Sequence, residues 1–127
     1  MSFLSDHLEK TLLDSDKISK AAILDSNGAT LAKSGNLSIP ETEAKAAVNA
    51  FQNIGDILAS GLSIEGQTHK VIPLEADLLW GQNNGRGFHI GQAGNYVVIA
   101  CYENAKGAVH CEKVTRALME VVKSSGC

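Results

Sequence analysis

The chain has 127 residues, of which 44% are hydrophobic and 20% charged, and its formal net charge is −3. These values suit one domain, residues 1–127, large enough to bury a core without staples. No apolar run reaches the roughly 18 residues that a membrane span needs, so the chain reads as soluble. A negative balance with Arg86 and Arg116 as its arginines excludes a general nucleic-acid surface. Three cysteines leave one unpaired in any disulfide scheme, and the start Met1-Ser2-Phe3-Leu4-Ser5-Asp6 lacks the basic and apolar regions of a signal peptide. A reducing cytoplasm is the expected compartment.

Leu4, Leu8 and Leu12 recur at i, i+4, i+8, so residues 2–13 are expected to form an amphipathic helix that ends at Asp14-Ser15-Asp16. Ala21 to Asp25 reads as a strand. Ser26-Asn27-Gly28 is a strong reversal signal into a second strand from Ala29 to Ala32, and residues 34–37 read as a loop. Pro40 suits the first turn of a helix whose dipole Glu41 and Glu43 complement and whose apolar face carries Ala44, Ala47, Val48 and Phe51. A short helix, Ile54 to Ala59, follows, closed by Gly61. Leu62-Ser63-Ile64 and Lys70-Val71-Ile72 flank Gly66-Gln67 as another hairpin.

The most informative stretch comes next. Leu78 to Ile90 and Asn95 to Glu103 read as three successive strands, reversed at Asn83-Asn84-Gly85-Arg86-Gly87 and again at Gln92-Ala93-Gly94-Asn95. Tyr96 to Cys101 is apolar on both faces, which places it inside a sheet covered on each side. From Gly107, residues Cys111, Val114, Leu118, Val121 and Val122 at helical spacing form a last amphipathic helix. Helices packed on an antiparallel meander predict an α+β domain.

Constellations that carry chemistry are thin. His110-Cys111 opens a helix, where the dipole favours a thiolate, yet neighbours at i, i+1 diverge and Cys111 falls on the apolar face, as a core residue would. Gly81 to Gly87 lacks the Lys-Ser/Thr of a phosphate loop and reads as a hairpin. The cysteines at 101, 111 and 127 and the histidines at 7, 69, 89 and 110 have no paired ligand spacing, so neither a metal nor a cofactor is expected.

In order and spacing the chain resembles the profilin family. The resemblance rests on Met1-Ser2-Phe3, on Ala21-Ala22-Ile23 with its Asn-Gly turn, and on Gly61 to Gln67 leading to Val71-Ile72. It continues through Trp80-Gly81 to Gly87, Val98 to Glu103, Cys111 early in the last helix, and Gly126. It implies a central antiparallel sheet flanked by the N- and C-terminal helices on one face and shorter helices on the other. It also implies a monomer without catalysis that binds monomeric actin and regulates filament assembly in the cytoplasm and cytoskeleton. The actin-facing positions would be Thr68, Lys70, Val71, Pro73, Trp80, Gln82, His89, Lys106, Cys111, Lys113 and Arg116. Several of the family's basic residues are neutral here, at Thr68, Trp80 and Gln82, which reduces charge complementarity to an acidic surface.

The family's proline-rich-ligand groove would fall on Phe3, His7, Leu31 and Val121, where three of its rings are missing, so weak binding is expected. Anionic phosphoinositides would meet Lys10, Lys17, Lys20, Lys113 and Lys123. Two rival readings stand beside this one: a roadblock-type dimeric adaptor of motor or small GTPase complexes, with a related order of elements, and a thiol enzyme built on Cys111.

Overall fold

A computed structural model describes residues 20–34, 41–64, 66–75, 77–83, 85–94, 96–102 and 108–124. The helix expected over 2–13 lies outside them, with Phe3, His7, Lys10 and Lys17. Strands β1 (Lys20–Leu24) and β2 (Thr30–Ser34) form the first hairpin. Asp25 closes its turn: Oδ1 accepts the N–H groups of Asn27 at 2.8 Å and Ala29 at 2.9 Å. Gly28, at φ 87°, takes the left-handed backbone that the reversal requires. The register slips between Ile23↔Ala32 and Leu24↔Thr30, so Leu31 falls at a bulge, and β2 starts and ends later than the expected 29–32.

Helix α1 (Glu41–Asn49) tightens into a 3-10 turn at Ala50–Gln52, and α2 (Ile54–Ser60) follows. Gly61 donates its N–H to the Ile57 carbonyl at 2.7 Å. Then come β3 (Leu62–Ile64), β4 (Gln67–Glu75), β5 (Leu78–Asn83), β6 (Arg86–Ala93), β7 (Tyr96–Tyr102) and helix α3 (Ala108–Ser124). The strands form one antiparallel sheet in the order β2-β1-β7-β6-β5-β4-β3. Expected as Lys70 to Ile72 alone, β4 is longer and contains Pro73. Short β3 pairs only with residues 67–69, so the outer edge of β4 from Lys70 onward has no strand partner among the described residues, and a residue lacking an N–H costs no ladder bond there.

Alternation along the strands splits the interior into two layers. Ala22, Leu24, Leu62, Ile64, Val71, Leu79, Phe88, Ile90, Val97 and Ile99 meet the alanine face of α1, with Ala44, Ala47 and Ala50 each at most 2% exposed. On the other side Ala21, Ile23, Leu78, Val98, Ala100 and Tyr102 meet Cys111, Val114, Leu118, Met119 and Val122 of α3. Val98 and Ile99 are both fully buried, on opposite layers, as a strand apolar on both faces demands.

Candidate binding surface

Helix α3 packs on β6 and β7. Among the described residues α3 is the helix on this side, and beyond its edge β4 and the outer part of β5 carry a strip of exposed and half-buried side chains. Register pairs Lys70 with Gln82 and Ile72 with Trp80, and Trp80 with His89. Alternation puts Thr68 and Lys70 on this side as exposed residues, with Ile72, Trp80 and Gln82 half-buried.

Three rings form the floor of the strip. Trp80 stacks on His89 with centroids 5.9 Å apart and planes 4° from parallel, and its Nε1–H donates to the Tyr102 hydroxyl at 2.6 Å. Tyr102, only 3% exposed, lies tilted against His89 at 6.1 Å, and burial raises its phenol pKa. His89 is 1% exposed and its Nδ1 meets no hydrogen-bond partner among the described residues. Burial pulls its pKa down to about 4; Glu112 opposes that shift and Arg116 adds to it. His89 is therefore a neutral ring at physiological pH.

The helix wall is ionic. Arg116 Nη1 lies 2.7 Å from Glu75 Oε1 on β4, and Nη2 lies 3.0 Å from Glu112 Oε2 one turn back along α3. The same Glu112 oxygen accepts Nε–H at 3.1 Å, and the two carboxylates hold the guanidinium pKa above its ordinary value. Two carboxylates around one guanidinium leave this cluster at −1, and among the described residues Lys70 on β4 and Lys113 and Lys123 on α3 are exposed lysines.

These positions correct the flat list of contacts that the resemblance implies. Val71 is 3% exposed and points into the α1 layer, and Pro73, paired with Leu79, is turned to that same side, away from Trp80. Face assignment needs register, which the sequence alone leaves open. His89 and Cys111 belong to the strip's foundation. Arg116 is engaged by Glu75, 41 residues away. Lys106 lies outside the described residues. Thr68, Lys70, Trp80 and Gln82 share the strip, and Lys113 is exposed on α3.

Cys111 is fully buried and its thiol donates to the Ala100 carbonyl at 3.3 Å. Burial pushes its pKa far up, the opposite of an activated nucleophile, which removes the thiolate that a thiol enzyme needs. No group of His, Cys, Asp and Glu among the described residues could hold a metal ion, and no helix among them is long and apolar enough to cross a membrane. Leu31 is half-buried at the β2 bulge, and Val121 is half-buried against the α3 layer. Sequence reading missed Tyr102, Ile72, Glu75 and Glu112, and also Val109, 70% exposed near the start of α3. Ile72 was within reach, since it alternates with Lys70.

Comparison with known proteins fits this architecture. The Profilin family model matches residues 2–127. Profilin-3 of Caenorhabditis elegans is 38% identical over 120 residues, covering 94% of this chain and 95% of the relative. The solved profilin of Schizosaccharomyces pombe superimposes with a TM-score of 0.87 at 21% identity, covering 98% of this chain and 99% of that one. LokiProfilin2, solved in complex with rabbit actin, gives a TM-score of 0.75 at 13% identity, covering 98% of each chain. A family match over nearly the whole length, a relative this similar in sequence and the shared fold lead to one conclusion: the chain belongs to the profilin family, whose members act by binding and not by catalysis.

Proposed function

We propose that this protein binds monomeric actin and regulates filament assembly, as a monomer of the cytoplasm and cytoskeleton. The observation that carries the reading is the strip on the α3 side of β4 and β5, where Lys70, Trp80 and Gln82 converge. A half-buried tryptophan on the same strip as Lys70 suits a protein surface with acidic character, because aromatic anchors supply affinity and charges supply steering. That a related fold, LokiProfilin2, has been solved with rabbit actin supports the same assignment. The test is sedimentation or fluorescence titration against monomeric actin. Saturable one-to-one binding is expected, and no binding at high micromolar concentration overturns the proposal.

Two weaker activities complete it. Proline-rich ligands would use Phe3, His7, Leu31 and Val121, with low affinity because aliphatic side chains replace rigid rings and a hydroxyl donor. Leu31→Trp with Val121→Tyr is expected to strengthen polyproline binding in a calorimetric titration, and tight binding by the wild type contradicts this. Anionic phosphoinositides would meet scattered lysines, of which Lys113 and Lys123 are exposed on α3.

A further inference from the structure

We infer that Tyr102 is the positioning residue of the Trp80 anchor, holding the indole through its hydroxyl across a gap that Gly87 leaves open. The inference rests on the actin reading above and adds a residue to it. Trp80 sits on β5 and Tyr102 on β7, with β6 between them. A hydroxyl from β7 reaches β5 only if it passes over the β6 residue paired with it, and that residue is Gly87. A Cβ at Gly87 would run into the Tyr102 hydroxyl and the Gly81 carbonyl oxygen. The other wall of the seat is His89, against which the indole lies flat.

The consequence is preorganisation. An indole with its N–H bonded and one face stacked has few orientations left, so docking a partner on it costs little further ordering. Tyr102 is itself too buried to be a contact, which makes its effect indirect. Phenylalanine at this position keeps the ring and removes only the acceptor.

Trp80 is the single tryptophan of the chain, so its emission reports on the seat alone. Tyr102→Phe is expected to shift that emission, increase its quenching by acrylamide, and weaken actin binding roughly three- to tenfold. In a Trp80→Phe background the same change should have no further effect on binding, because its action passes through the indole. Unchanged emission in Tyr102→Phe overturns the latch, and an equal loss of affinity with or without Trp80 overturns positioning. Absence of actin binding by the wild type overturns the anchor role along with the function it serves, and the emission result then decides the latch by itself.

Discussion

The two faces of the sheet are closed by different means. On the α1 side, small residues, Ala44 and Ala47 of the helix and Ala50 of the 3-10 turn, let it approach closely, and Phe88, Ile90 and Ile99 are fully buried in the layer. On the α3 side, a long helix with Leu118, Met119 and Val122 packs mainly on β6 and β7, reaches Leu78 at the start of β5, and leaves Lys70, Ile72, Trp80 and Gln82 beyond its edge. Every side chain under cover is apolar or, like His89, neutral. Those beyond the helix edge are mixed: Lys70, Ile72, Trp80 and Gln82. Among the described residues one face is closed throughout, and the other has a margin of exposed and half-buried side chains beyond the edge of α3, the proposed binding surface.

Cutting into each face separates them. Phe88→Ala on the closed side should cost about 3–5 kcal/mol in chemical denaturation, since a fully buried ring leaves a cavity, whereas Trp80→Ala on the open side should cost roughly 1–2 kcal/mol. Equal losses would mean that the strip is core as well. The next effect in size is acid sensitivity under the strip. His89 titrates at 6.5 when unfolded and about 4 when folded, so the unfolded state binds more protons between those values. Its contribution is complete above pH 6.5 and is lost as pH falls toward 4, by on the order of 3 kcal/mol. His89→Phe should flatten this part of the stability profile, and the residual slope includes His69, whose pKa burial also lowers.

Smaller effects belong to the charges. Lys70→Glu should weaken actin binding about tenfold, or about 1.4 kcal/mol, with the loss shrinking as salt rises, and an unchanged affinity would move the interface elsewhere. Least of all, Glu75→Gln should leave the thermal midpoint within experimental scatter, because the Arg116 pair is exposed to water. A large drop there would show that the ionic wall holds α3 to the sheet.

Much of this architecture was legible from local chemistry. Asn27-Gly28 announced its hairpin, and Tyr96 to Cys101, apolar at every step, announced a strand covered on both sides. Cys111 at helical spacing with Val114 and Leu118 announced a core position. What escaped depended on register and distance. Val71 looked like a surface contact beside Lys70, yet one step along a strand reverses the face, and only pairing with Gly81 decides which face is which. Arg116 looked like a free cation until the fold brought Glu75 to it. Tyr102, two strands away from Trp80, gained its place from a missing side chain on the strand between them, a relation that no spacing in the chain expresses.

The central claim is that actin docks on the strip and not on the α1 side. Amide hydrogen exchange of the protein alone and with saturating monomeric actin tests it directly. Protection confined to β4, β5, the start of β6 and the first two turns of α3, with α1 and α2 unchanged, is the predicted result. Protection centred on α1 and α2, or none at any actin concentration up to high micromolar, would contradict it.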